Sequence, residues 1–187
     1  MNRKTTTIIV TLAAALLFST VGMASAVMID GHNITFINHT YDEGTDTSTW
    51  CYNVTSGSSA ALSNWIICWC NESAIAGASE TYEYKNMTNP DPNMGMFGIK
   101  FTQGYGDYES RAVCFTLHGN YSEALIEVGI KEGNDNADDG KVGYGWVTGP
   151  ADYIGCPECI VPELSTLALV SVGLLTLVGY FTLRRKD

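Results

Sequence analysis

Leu62-Ser63-Asn64-Trp65-Ile66-Ile67-Cys68-Trp69-Cys70 is the stretch that decides the fold class. Trp65, Ile67 and Trp69 recur at every second position, the period of a strand with one buried face, and this leaves Cys68 and Cys70 together on the other face. The same period runs outward along the chain. Ile34 and Phe36 alternate with polar residues, and Trp50, Tyr52 and Val54 alternate with Cys51, Asn53 and Thr55. Phe97, Ile99 and Phe101 follow, then Val113, Phe115 and Leu117 within 111–117. Ile126, Val128 and Ile130 oppose Glu127 and Lys131, and Tyr144 and Trp146 occupy 142–148. Turn-forming runs separate these segments: Ser56-Gly57-Ser58-Ser59, Asn89-Pro90-Asp91-Pro92, Gly104-Tyr105-Gly106-Asp107, His118-Gly119-Asn120 and the stretch from Gly133 to Gly140. The expectation is all-β: an antiparallel β-sandwich of about six to eight strands.

The alternation also orients the cysteines. Cys51 and Cys114 oppose the apolar residues of their own strands, as Cys68 and Cys70 do. Neighbours at i and i+2 on one strand are about 7 Å apart and point in parallel, so a Cys68–Cys70 bridge is strained, whereas facing residues of adjacent strands are about 4.5–5.5 Å apart. Strand 62–70 is therefore expected beside or between strands 50–55 and 111–117. Cys68 and Cys70 would each pair with one of Cys51 and Cys114, and Cys156 with Cys159. Which of Cys51 and Cys114 goes with which partner stays open. The competing reading is a metal site, because Cys68-Trp69-Cys70 and Cys156-Pro157-Glu158-Cys159 both have ligand-like spacing. Ile160 after Cys159 excludes haem attachment, and six cysteines in an exported segment favour three disulfides.

Export is read from the ends. Arg3 and Lys4, an uncharged run from Thr5 to Met23, and Ala24-Ser25-Ala26 make the three parts of a secretory signal peptide over 1–26, cut by signal peptidase after Ala26. Leu164 to Leu183 carries no charge and is long enough, at ~1.5 Å per residue, to cross the roughly 30 Å hydrocarbon core. Arg184, Arg185 and Lys186 behind it keep that end inside, so the membrane topology is N-terminus out, C-terminus in. The resulting organisation is signal peptide 1–26, extracellular β domain 27–155, linker 156–163, transmembrane helix 164–183 and basic tail 184–187.

With the ends set aside, five basic residues face nineteen acidic ones, a balance of −14. Such a surface repels nucleic acid and anionic lipid, and suits cation binding or a salty medium. Half of the twelve asparagines lie in Asn-x-Ser/Thr sequons: Asn33, Asn38, Asn53, Asn71, Asn86 and Asn120. Their number marks a glycosylated, exported surface.

Two resemblances follow from these residues. Val161-Pro162-Glu163-Leu164, the apolar span and the basic cluster resemble the PEP-CTERM and archaeal PEF-CTERM sorting signals, with Leu164 where those motifs carry Pro or Phe. This implies a membrane transpeptidase partner, an exosortase or archaeosortase, that cuts near Pro162 and Glu163. The alternative is a permanent single-pass anchor. The body from Trp50-Cys51-Tyr52-Asn53-Val54 through Phe115-Thr116-Leu117-His118-Gly119 to Val147-Thr148-Gly149-Pro150 resembles the extracellular choice-of-anchor β domains. That resemblance spans roughly 33–151 and implies a surface module without catalysis. The extra cysteines and the acidic insertion 134–140 depart from it.

Catalytic motifs are not found. His32, His39 and His118 read as surface histidines, Asp107 and Glu109 as ordinary acids, and no nucleophile elbow, zinc-protease helix or phosphate loop occurs. Asn134, Asn136 and Asp138 offer oxygens at alternate positions, as a calcium loop does, but Gly at the sixth and Glu at the twelfth position are missing. A solvated acidic hairpin loop is the competing reading, and no other cofactor is expected. The expected function is a structural or adhesive component of the envelope or extracellular matrix, meeting envelope glycans, surface proteins or copies of itself. The alternative is a carbohydrate- or calcium-binding module, with Tyr105, Tyr108, Tyr144 and Trp146 as a sugar platform. An enzyme is not expected.

Overall fold

In Thr47–Thr55 every second residue is buried, and the strand runs with Trp50, Tyr52 and Val54 inward. This pattern repeats through a computed structural model that describes residues 26–57, 61–133, 140–152 and 155–159. Among the described residues ten strands form: β1 (Ala26–Ile29), β2 (His32–Asp42), β3 (Thr47–Thr55), β4 (Leu62–Ile67), β5 (Ile75–Ala78), β6 (Tyr82–Lys85), β7 (Gly98–Phe101), β8 (Ser110–His118), β9 (Ser122–Glu132) and β10 (Val142–Ala151). They make two antiparallel five-stranded sheets, A in the order β1-β2-β3-β8-β5 and B in the order β10-β9-β4-β7-β6. The all-β expectation is met. The count exceeds the expected six to eight because β1, β5 and β6 are four-residue edge elements, too short to show a period of their own.

Apolar faces of both sheets meet in one core. Tyr52 of sheet A stacks on Phe115 at 5.9 Å and meets Trp65 of sheet B edge-on at 6.1 Å, and Trp65 stacks on Phe101 at 4.4 Å. Such aromatic pairs add to area burial through offset and edge geometries. The Tyr52 hydroxyl donates to the Thr148 carbonyl at 3.0 Å, so its one polar atom is satisfied while burial pushes its pKa well up.

Two apparent alternations need correction. On β10 the residues that point inward are Gly143, Gly145 and Val147, while Tyr144 and Trp146 point outward. Edge strand β1 occupies the vacated space: a Cβ on Gly145 would stand 2.5 Å from the Val27 side chain, and one on Gly143 would stand 2.5 Å from Asp30. Phe97 does not join Ile99 and Phe101. Gly98 between them has φ +138, which breaks the period, and a Cβ there would lie 2.9 Å from the Trp69 amide nitrogen.

The expected strand neighbours of the cysteines are also corrected. β3 pairs directly with β8, placing Cys51 opposite Cys114, and β4 belongs to the other sheet between β9 and β7. Cys51 bonds Cys114, Cys68 bonds Cys159 and Cys70 bonds Cys156. The expected bridges from Cys68 and Cys70 to Cys51 and Cys114, and from Cys156 to Cys159, are therefore not those of the fold. The reason is sheet assignment. Cys51 and Cys114 face outward on sheet A, Cys68 and Cys70 outward from sheet B, and the whole core lies between them.

Candidate functional site

The outer face of sheet B is where the sequence and the fold concentrate distinctive chemistry. Beyond Ile67 the chain leaves β4 but keeps its alternation: Trp69 stays in the main core while Ile66 and Cys68 turn outward. That outward face is not wet. Ile66, Cys68, Met94, Met96, Cys156 and Cys159 form a second buried cluster, bordered by Cys70, Phe97 and Val142. Gly129 of β9 makes room for it, since a Cβ there would meet the Met96 sulfur at 2.5 Å.

The methionines sit in a loop organised around Asp91. Asp91 Oδ1 accepts from the amides of Asn93 and Met94, both at 3.0 Å, and its Oδ2 accepts from Lys100 Nζ at 2.6 Å. The Asp91 amide donates to Met96 O at 2.7 Å. Burial alone would raise the Asp91 pKa, but the Lys100 ammonium and the two amides outweigh it and hold the carboxyl below its usual value. Tyr144 Oη donates to Met94 O at 2.6 Å, tying the loop to β10.

Beside this cluster Tyr144 and Trp146 share one face of β10 at 51% and 40% exposure, with Glu127 of β9 opposite Trp146. Burial raises the Glu127 carboxyl above its ordinary pKa. Of the four residues expected as a sugar platform, these two aromatics stand together. Tyr108 is exposed on the loop before β8, and Tyr105 is 2% exposed in the core. The Arg111 guanidinium lies 3.7 Å above the Tyr105 ring, and Arg111 also pairs with Glu80 and Glu109. Glu109 is engaged by Arg111 and by the Gly106 amide, so it is not poised with Asp107 as a carboxylate pair.

His32 departs from its expected surface position and is fully buried. The Gly57 amide donates to its Nδ1 at 3.0 Å, which puts the ring hydrogen on Nε2, donated to Glu132 at 3.1 Å. Both partners are shut away from solvent, a fastening between sheets rather than a reactive dyad. His39 stacks on Trp50 at 4.4 Å and bonds Glu123 at 2.8 Å, and His118 is exposed.

None of the six sequon asparagines is buried: Asn38, Asn71, Asn86 and Asn120 are exposed, Asn33 and Asn53 half-buried. In two of them the sequon hydroxyl donates to the asparagine carbonyl, Ser73 to Asn71 at 2.7 Å and Thr88 to Asn86 at 2.8 Å. Asn53 sits mid-strand instead, donating to Thr55 Oγ1 at 3.3 Å and accepting from Ser110 at 3.0 Å. The possible calcium ligands Asn134, Asn136 and Asp138 lie outside the described residues, as do the sorting residues Pro162, Glu163 and Leu164 and the span 164–183. No helix among the described residues is long and apolar enough to cross a membrane. Ala26, the last residue of the expected signal peptide, is the first residue of β1. No protein-family model, no curated protein and no solved structure matches the chain.

Proposed function

We propose that this chain is a non-catalytic surface module, exported, glycosylated and held at the cell envelope through its C-terminus, where its work is structural or adhesive. The observation that carries this reading is the pair of bridges Cys68–Cys159 and Cys70–Cys156. They join the C-terminal segment to the extension of β4, the central strand of sheet B, rather than leaving it to follow edge strand β10. Tension entering through the C-terminus would otherwise peel β10 from β9 one hydrogen-bonded pair at a time. Through the bridges it reaches a strand paired on both sides. A load-bearing tether gains from that route.

The accessible sequons and the acidic balance fit the same reading. Signal peptidase, a lipid bilayer around 164–183 and an exosortase or archaeosortase acting near Pro162 and Glu163 complete it, in line with the sorting-signal and choice-of-anchor resemblances. Two arms test it. Protease added to intact cells should remove the β domain, and a chain ended after residue 163 should leave the cells for the medium. Protection from protease, or retention of the shortened chain, would refute it.

Exposed Tyr144 and Trp146 beside Glu127 favour a second reading, a carbohydrate contact on sheet B. Base-free stacking of sugar rings on such aromatics would make Trp146→Ala lose at least ~10-fold in affinity for envelope polysaccharide. Equal binding by the variant removes this reading.

A further inference from the structure

The two C-terminal bridges are not independent staples. One residue separates Cys68 from Cys70 and two separate Cys156 from Cys159, and the fold brings both pairs to one place. The sulfurs of Cys70, Cys156 and Cys159 lie within 4.8 Å of one another, and Cys159 is bonded to Cys68. Cys156 and Cys159, members of different bridges, have sulfurs 3.0 Å apart. Either bridge alone closes the long loop, with sequence separations of 91 and 86. The other then closes only a ring of seven residues, three from Cys68–Cys70 and four from Cys156–Cys159. Because the loop-closure gain shrinks with ring size, two staples so placed largely duplicate each other. Four sulfurs in one cluster serve another purpose well.

We propose that, with both bridges reduced, Cys68, Cys70, Cys156 and Cys159 form a tetrathiolate site for a soft divalent metal, zinc or ferrous iron. Reduction adds two electrons and two protons to each bridge, supplied by a dithiol or a phosphine, and gives four thiols. Metal binding then displaces their four protons. Zinc–sulfur bonds of about 2.3 Å in a tetrahedron set the sulfurs roughly 3.8 Å apart. Bonded sulfurs start about 2 Å apart, so each bonded pair has to open by roughly 1.8 Å, while the Cys68 sulfur, outside the 4.8 Å group of the other three, has to close on them by side-chain rotation. The backbone already stands close, with Cα pairs at 5.3 and 5.4 Å.

The surroundings suit a closed site. Cys68, Cys156 and Cys159 are 2–3% exposed, under Met94 and Met96 and against Ile66, which keep water from the sulfurs. Cys51–Cys114 provides the internal contrast: it lies on the outer face of the other sheet, and no third cysteine joins it among the described residues. The C-terminal segment would then stay fastened to β4 in either redox condition, by sulfur–sulfur bonds or by metal. That consequence, unlike the site itself, rests on the proposed tether role.

The test uses the full chain in detergent, reduced anaerobically with a phosphine and titrated with cobalt(II). Cobalt reports tetrahedral thiolate coordination through visible ligand-field bands and sulfur-to-metal charge transfer. One cobalt per chain is expected, displaced by zinc, with the β-sheet circular dichroism retained. Cys51→Ala/Cys114→Ala should leave the spectrum unchanged. Cys70→Ala/Cys156→Ala keeps the Cys68–Cys159 bridge for folding when oxidised, and on reduction should bind more than ~100-fold more weakly without the tetrathiolate bands. Absence of those bands in the reduced native chain overturns the proposal. So does undiminished binding by Cys70→Ala/Cys156→Ala, or metal bound without the native β signal, which would mark a site of the unfolded chain.

Discussion

Removing the C-terminal bridges one at a time and together should give strongly non-additive losses. In the chain-entropy model a bridge closing 91 residues contributes about 4.6 kcal/mol at 25 °C, whereas one closing a seven-residue ring contributes about 2.4 kcal/mol. Cys68→Ala/Cys159→Ala leaves Cys70–Cys156 to close the long loop, so only the short-ring contribution of about 2.4 kcal/mol is lost. Cys70→Ala/Cys156→Ala should cost the same for the same reason. Removing all four cysteines loses both contributions, about 7 kcal/mol, which leaves a coupling of roughly 2 kcal/mol beyond the sum of the two pair deletions. That total is a large share of the 5–15 kcal/mol typical of a domain, about enough to leave the quadruple variant marginal at 37 °C. Alanine avoids placing a serine hydroxyl in the apolar cluster. Urea titrations followed by tryptophan fluorescence suit the measurement, because Trp50, Trp65 and Trp69 are buried. Two pair deletions that each cost ~4 kcal/mol or more and simply add would refute the shared-loop reasoning.

Trp65→Ala removes a fully buried indole stacked on Phe101 at the centre of the core, and should cost about 3–5 kcal/mol, seen as a lower urea midpoint with unchanged slope. Asp91→Asn should cost about 2–4 kcal/mol at pH 7 by stranding the Lys100 ammonium. The folded Asp91 pKa lies below its ordinary 3.8, so the carboxylate stabilises above that value and the contribution fades as pH falls through the folded one. The gap between Asp91→Asn and the native chain should therefore narrow only below about pH 4, and a gap constant from pH 7 to pH 2 would contradict the ion pair. For the sequons, site-resolved glycopeptide mapping should find Asn71 and Asn86 modified more fully than Asn53, whose amide is bonded within sheet A. The reverse order would show that folded-state geometry does not govern occupancy.

From local chemistry alone, the chain was readable as a stack of half-buried strands. Period two in 47–55, 111–118 and 122–132 carries both the strand and its buried face, because side-chain direction alternates whatever lies opposite. The same rule correctly set Cys51, Cys68, Cys70 and Cys114 away from the main core and excluded a Cys68–Cys70 bridge. Which outward face belongs to which sheet is another matter. It depends on strand order, a product of long-range pairing that no local period records, and the cysteines expected to be bridged within one sheet therefore lie on opposite sides of the sandwich. Tyr144 and Trp146 show the same limit. Their alternation is real, but the fold fills the space over Gly143 and Gly145 with β1 and turns the aromatics outward. His32 and Tyr105 look polar or exposed in sequence because only distant partners, Glu132 and Arg111, make their burial affordable. Tertiary structure alone decided that four cysteines, two from the extension of β4 and two from the C-terminal segment, meet in one apolar cluster, since their contact closes a loop of 86–91 residues that no local period records.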